Sequence, residues 1–388
     1  MTAIKGVFPL YEITADGKVL HLADLHPLEP NGFRLLPKLG SIQETVYKDL
    51  PYFLLDLMPS GFLGRLVPRT HRELGLPSNI QLWSVEQGFA FWSFFGWNLV
   101  GNLIIGQKAL NHYLEKRNSP SPAVPQPKLT WHFPILADQI QREGDEGTSA
   151  SGEQPKFLID YRQIHKSSLV KFSPPIVDAT SQRVADLLIA EHVAHQVLSE
   201  AGIPAARSEI IRVKNQVFLE IERFDRNEAQ GRRGIISLQA LETEYGGSFN
   251  RWTETSSRLL KLGKIDQHTD LTIQELEIFG TLIGNSEMDA TNLSFYFDRL
   301  QLGKLAPVYD MVPMSYYPQQ NQLIPLELKV ELPNPSQGKL WNLACRNAIE
   351  FWHRTASHPD VSESFKNIAA ENHLTLVTQK NTFEKLGA

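Results

Sequence analysis

Four groups of residues, in chain order, are of the types that moving a phosphoryl group requires. That chemistry asks little of a protein: a loop to cover the phosphates, a cation to hold them, ligands for magnesium, and a carboxylate to orient the acceptor hydroxyl. The most specific stretch is Gly284-Asn285-Ser286-Glu287-Met288-Asp289-Ala290-Thr291-Asn292, in which Glu287 stands five residues before Asn292, and Asp310 follows eighteen residues after that. A base, a metal-binding amide and a second metal-binding carboxylate occur in this order in phosphoryl-transfer sites, the last after a short hairpin. Lys171 ends the apolar run Leu169-Val170-Lys171-Phe172, where an ammonium can reach phosphates, and Glu191 is the acid placed to orient it. Ser151-Gly152-Glu153-Gln154-Pro155-Lys156 is a small-residue loop entering a strand, and its backbone N–H groups are suited to cradling phosphate. Glu220-Ile221-Glu222-Arg223-Phe224-Asp225-Arg226 closes a further strand, where adenine can meet backbone donors and acceptors. Each motif alone also reads as something plainer: a flexible turn, a snorkelling edge lysine, an alternating exposed strand, or a helix end followed by an Asx turn.

The elements that must position these residues follow from periodicity. Lys156–Tyr161 and Ser168–Phe172 read as short strands, and Thr180–Ala201 carries apolar residues at helical spacing before Gly202 and Pro204. Glu209–Val213 and Gln216–Phe224 read as a hairpin turning at Lys214-Asn215. Helices are expected over Thr272–Ile283, Gly338–Thr355 and Glu363–Glu371, interrupted by a small hairpin of Leu293–Phe297 and Leu305–Tyr309. Composition breaks fall at Asn118–Lys128 (four prolines), Glu143–Gly152 (glycine, serine and acids) and Asn227–Gly234. A β-rich half followed by an α-rich half gives an α+β chain of two lobes, divided as 1–117, 118–230 and 231–388.

Bulk properties exclude several classes. The chain has 388 residues, too many for one ordinary core, and a formal net charge of −5, so nothing demands a basic face for nucleic acid. Cys345 is the sole cysteine, which rules out an internal disulfide and a thiolate zinc site and suits a reducing cytoplasm. No secretory leader is expected from Met1-Thr2-Ala3-Ile4-Lys5-Gly6. Gly88–Gly106 is aromatic and almost uncharged, but its glycines, Asn98 and Asn102 argue for a buried core element rather than a membrane span.

Taken together, these motifs resemble the HipA-like serine/threonine kinase family of bacterial toxin–antitoxin systems, and within it the YjjJ-type branch. Asp49-Leu50-Pro51 and Met58-Pro59-Ser60-Gly61-Phe62-Leu63-Gly64-Arg65 resemble the family's N-terminal subdomain signature, and Glu222-Arg223-Phe224-Asp225-Arg226 is its most recognisable string. The resemblance implies a two-lobed, protein-kinase-like fold and an ATP- and Mg2+-dependent kinase acting on a protein substrate, with an antitoxin as partner. It assigns ATP phosphates to Lys171 and to the loop of Ser151, Gly152, Gln154 and Lys156, with Glu191 orienting Lys171. Adenine falls to Glu222 and Phe224, the ribose to Asp225, and magnesium to Asn292 and Asp310. Ser149 falls where the family carries a regulatory autophosphorylated serine, with Thr148 and Ser151 as rival acceptors. Glu287 stands where the family usually has aspartate, and Asp289 where it usually has histidine. Either acid is a candidate for the catalytic carboxylate. A nucleotide-binding pseudokinase and a small-molecule kinase are the alternatives.

Overall fold

The computed structural model describes residues 6–29, 31–119, 130–143, 154–161, 166–227, 231–246, 251–333 and 337–385. The chain folds into two compact units that interleave along the sequence. Unit 1 takes residues 1–170, 222–244 and 294–305; unit 2 takes 171–221, 245–293 and 306–388.

Unit 1 opens with a five-stranded sheet of β1 (Phe8–Ile13), β2 (Val19–Pro27), β3 (Phe33–Pro37), β4 (Thr45–Tyr47) and β5 (Leu103–Ile105), in the order β4-β3-β2-β1-β5. The short connections make β1 to β4 an antiparallel meander, and β5 returns to pair antiparallel with β1. Helices α1 (Gly61–Thr70), α2 (Val85–Phe95), α3 (Gln107–Asn118) and α4 (Phe133–Glu143) complete this part. The aromatic stretch is a core element: Ser84 and Gln87 form a capping box at the start of α2, and Phe89, Phe91 and Trp92 are fully buried. The indole of Trp92 donates to the Leu57 carbonyl at 2.7 Å, satisfying its one polar atom in the core. No helix among the described residues is long and apolar enough to cross a membrane.

Unit 1 also holds β6 (Lys156–Tyr161) and a second sheet of β10 (Ile235–Ser237), β11 (Ser294–Asp298) and β12 (Gln301–Leu305) in the order β10-β11-β12. This sheet corrects the expected hairpin. Its turn is the pair Arg299-Leu300, both at positive φ (53° and 58°), so β12 begins at Gln301 rather than Leu305. β12 is mostly exposed and contains Gly303, so it lacks the alternating pattern that marks a half-buried strand. The apolar residues just after it serve unit 2, where Val308 bridges Ala205 in parallel. Gly234 permits the close approach of this segment: a Cβ there would sit 1.7 Å from the Phe297 carbonyl oxygen.

The chain passes from unit 1 to unit 2 within β7 (Lys166–Phe172). In unit 2, β8 (Ser208–Val213) and β9 (Gln216–Glu222) form the expected antiparallel hairpin, with Lys214 at φ 54° in its turn. Helix α5 (Ala179–Glu200) begins at an Asp178 cap and is buried on nearly every side, including Glu191 and His195. Its mean amphipathicity is accordingly slight, as for a helix enclosed by protein rather than lying on a surface. Helices α8 (Gln267–Leu282), α9 (Gly338–Ser357) and α10 (Glu363–Lys385) pack beside it or one another, with α7 (Trp252–Lys261) against α8. Helix α10 is 14 residues longer than periodicity suggested. Polar residues dominate its second half, and only Asn372, Leu376 and Phe383 are buried there.

Candidate active site

Unit 2 brings together three of the expected residues at the end of β7, the middle of α5 and the segment after Tyr309. The Lys171 ammonium donates to both carboxylate oxygens of Glu191 at 2.8 Å and also to Asp310. The side chains of Lys171 and Glu191 are 5 % and 0 % exposed, whereas that of Asp310 is 23 % exposed. Burial alone would lower the Lys171 pKa, but the Asp310 and Glu191 charges outweigh it and hold the group raised, so it stays cationic. The cluster carries one positive and two negative charges. Of the two carboxylates, that of Asp310 is the one that solvent can reach. Asp310 also has φ of 60°, an uncommon conformation for a residue with a side chain and one found disproportionately where function requires it.

Two further unit 2 contacts join the 284–292 loop to the Asp310 segment. The Tyr309 hydroxyl donates to the Thr291 carbonyl at 2.8 Å, and the Ser315 N–H donates to the Gly284 carbonyl at 3.0 Å. Inside the loop, Asn292 Nδ2 donates to the Glu287 carbonyl at 3.0 Å, and Asn285 Oδ1 accepts from the Glu287 N–H at 3.1 Å. The Trp252 indole donates to the Asp289 carbonyl at 3.0 Å. The loop backbone is thus tied at several points while the Glu287 and Asp289 residues are exposed. Met288 anchors it against α8 at Gly280, where a Cβ would sit 2.3 Å from its sulfur.

One residue near this cluster carries no signal among the motifs. His195, one turn after Glu191 on α5, lies with Nε2 3.8 Å from Glu191 Oε1, and its Nδ1 is 2.9 Å from the Ser208 hydroxyl. Burial pushes its pKa down to about 3, helped by the Lys171 and His192 charges, so the ring is neutral at ordinary pH. Its four-residue spacing from Glu191 was the available clue.

Glu222, Phe224 and Asp225 belong to unit 1. Asp225 accepts N–H bonds from Gly101 (2.8 Å), Arg223 Nε (2.9 Å), Arg223 Nη2 (2.7 Å) and Arg226 Nη1 (2.8 Å). Burial would raise its pKa, but the two guanidinium groups hold it well below the usual carboxylate range. Arg226 further binds the carbonyls of Gly101 and Leu99. The ion cluster therefore ties the 98–101 segment to the 223–226 segment. Lys156 is buried at the start of β6, and Gln154 is half-buried just before it. Ser149, Ser151 and Gly152 lie outside the described residues, as do Thr148 and much of the Asn118–Lys128 and Glu143–Gly152 breaks.

Among the described residues no three His, Cys, Asp or Glu side chains are grouped as a metal site. A magnesium ion needs no such group, because it takes one or two protein oxygens and fills its octahedron with phosphate oxygens and water. The partly accessible carboxylate of Asp310 is an oxygen donor of the type that ion takes, whereas zinc favours nitrogen and sulfur ligands.

Comparisons with known proteins bear on the family and the fold. Residues 4–114 match the model of the YjjJ-like toxin, middle domain, and residues 148–377 match that of the HipA-like C-terminal domain. The chain is 36 % identical over 371 residues to Toxin YjjJ of Escherichia coli (strain K12), covering 94 % of this chain and 82 % of that protein. It is 26 % identical over 197 residues to a putative kinase of Haemophilus influenzae, covering 46 % of this chain and 57 % of that one. A chain of the Shewanella oneidensis MR-1 toxin–antitoxin system of HipA, HipB and its operator DNA superposes with a TM-score of 0.58 at 16 % identity, over 97 % of both chains. That likeness establishes a shared α+β, kinase-like fold. With 230 of its residues under the HipA-like model and a YjjJ relative along most of its length, the chain belongs to the HipA-like family of kinase-like toxins, in its YjjJ branch.

Proposed function

We propose that the protein is an ATP- and Mg2+-dependent serine/threonine protein kinase of HipA type, capable of autophosphorylation. The observation that carries this reading is the buried Lys171 ammonium held by both oxygens of Glu191 and by the more accessible Asp310. Lys171 is placed to hold ATP phosphates, with Glu191 fixing its direction. Asp310 and Asn292 would hold magnesium, which when bound would supply positive charge to offset that of the phosphates. Glu287 orients the acceptor hydroxyl, with Asp289 as its substitute. The phosphate loop of Ser151 and Gly152 and the acceptor Ser149 rest on the family resemblance alone. An antitoxin partner is proposed on the same footing, since the Shewanella system pairs HipA with HipB.

The test is direct. Purified protein is incubated with magnesium and labelled ATP, and any phosphosite is mapped by mass spectrometry. Label on Ser149 that disappears with EDTA or with Asp310→Ala supports the proposal. A wild type that neither transfers label nor gains thermal stability from millimolar ATP and magnesium overturns it. A nucleotide-binding pseudokinase is the second reading, favoured by one feature: the glutamate at 287 is longer by a methylene than the aspartate usual in the family. Stabilisation by ATP without transfer to any acceptor would select it.

A further inference from the structure

Unit 1 contains a cavity of about 100 Å³ that shares no residue with the Lys171 cluster. A single water needs about 10–15 Å³ by the same measure, so the space suits several waters or one tetrahedral oxyanion. Among the described residues its charged lining is mostly basic: Lys116, Arg117, Lys166, Arg226 and Arg232, with Asp160 as the carboxylate. Asp160 Oδ1 accepts the Ser167 hydroxyl at 2.5 Å. Arg226 is engaged by Asp225 and backbone carbonyls, and Arg117 donates to the Gly17 carbonyl at 2.6 Å.

Arg232 differs. It is 4 % exposed, its Nη2 donates to the Trp97 carbonyl at 2.7 Å, and its Nη1 has no hydrogen-bond partner among the described residues. Its guanidinium lies over the Tyr113 ring at 4.5 Å, a contact that fixes the plane of the group without using its N–H donors. Burying a cationic donor without an acceptor is unfavourable by more than a typical hydrogen bond contributes. Arg232, which carries this unpartnered donor, lines the cavity beside other cations, and an anion drawn in by them would bring it an acceptor.

We propose that this cavity binds a phosphoryl oxyanion, either free phosphate or the phosphate of a phosphorylated serine or threonine. A phosphoryl dianion suits a basic lining better than chloride, because its several oxygens can accept from a guanidinium and from lysines together. Lys116 and Lys166 are the rim cations that can be changed most safely: both are half-buried and point their ammonium groups over the Trp97 and Tyr161 rings.

The experiment uses the full chain carrying Lys171→Met, so that phosphate held at the unit 2 cluster does not contribute. Inorganic phosphate, a phosphoserine peptide, the same peptide without phosphate, and chloride at matched ionic strength are titrated by calorimetry and thermal unfolding. Saturable binding of phosphate or phosphopeptide, absent with chloride and the plain peptide, is expected. The double variant Lys116→Gln/Lys166→Gln should weaken it about tenfold or more, given the usual strength of charge-assisted bonds. Arg232→Gln should abolish it, and the lysine variant serves if that protein does not fold. Tighter binding of the phosphopeptide than of free phosphate assigns the source to a phosphorylated protein, and the reverse assigns it to the free ion. No saturable response to either, or affinity unchanged in the lysine variant, overturns the proposal.

Discussion

Each unit buries a cluster of three charged side chains, and the two are balanced in opposite ways. In unit 1, Asp225 is enclosed by Arg223 and Arg226, accepts four N–H bonds, and is buried. In unit 2, Lys171 is shared by Glu191 and Asp310, and one of the two carboxylates reaches solvent. The unit 1 cluster has an excess cation whose donors are taken up by carbonyls of Leu99 and Gly101. The unit 2 cluster keeps one carboxylate, that of Asp310, partly open to solvent. A buried cluster that is closed on itself holds segments together, whereas one with an accessible carboxylate leaves an atom that an ion or ligand from outside can reach.

The largest effect should come from removing the accessible carboxylate of the unit 2 cluster. Asp310→Asn should lower phosphoryl transfer about 10⁴-fold, on the scale of single groups that neutralise charge in such reactions. Lys171 keeps both Glu191 oxygens, so stability should change little. Equal loss of activity and of melting temperature would erase the proposed contrast between the clusters. Asp225→Ala should behave in the opposite way. It strands two buried guanidinium groups, which costs about 3–5 kcal/mol when one partner of a buried pair is lost. Denaturant titration measures this, and a variant as stable as wild type would show that the unit 1 cluster is not a structural tie.

A smaller effect concerns the exposed acid of the 284–292 loop. Glu287→Asp should raise kcat by about tenfold to a hundredfold, because a misplacement near an ångström has consequences of that order. Nucleotide affinity should stay nearly constant, since the acceptor-orienting group acts mainly in the transition state. If Glu287→Gln transfers phosphate as well as wild type, Asp289 is the group to test next.

A last effect is in the acid limb of stability. His195 is depressed to about 3 from an ordinary 6.5, so below pH 6.5 the unfolded chain binds a proton that the folded one refuses. Stability is then unaffected above pH 6.5 and is lost as pH falls toward 3, by at most about 1.4 kcal/mol per pH unit. His192 and His358, both also lowered first by burial, act in the same direction. Asp225 is depressed instead from 3.8, so its stabilisation is complete above that value and fades only at lower pH. His195→Gln should therefore flatten the decline between pH 6 and pH 4, and an unchanged slope would remove His195 from this account.

Much of the architecture was readable before any coordinates. Strand Lys156–Tyr161, the β8–β9 hairpin and helix α5 lie where local periodicity put them, because each has a run of apolar residues long enough to report its own face. The second strand of the 294–305 hairpin was not readable: it is exposed, contains glycine, and is specified by a two-residue turn at positive φ and by pairing to β11. The last half of α10 was obscured by a sparse apolar pattern whose packing against α9 decides its length.

The same division runs through the candidate site. The sequence by itself determined residue types and short-range spacing: a lysine ending a strand, a carboxylate five residues before an asparagine, and a string of two arginines around an aspartate. Only the tertiary structure decided which charges meet. Beyond the pairing of Lys171 with Glu191, which the sequence led one to expect, Lys171 finds Asp310 across 139 residues and Asp225 takes the Gly101 N–H across 124. No local pattern encodes such pairings, because ion pairing in a protein interior depends on how packed elements exclude water around the charges and which donors they bring within 3 Å. Neither could spacing show that His195 is buried and neutral or that Arg232 Nη1 lacks a partner, since both are consequences of enclosure by residues distant in the chain.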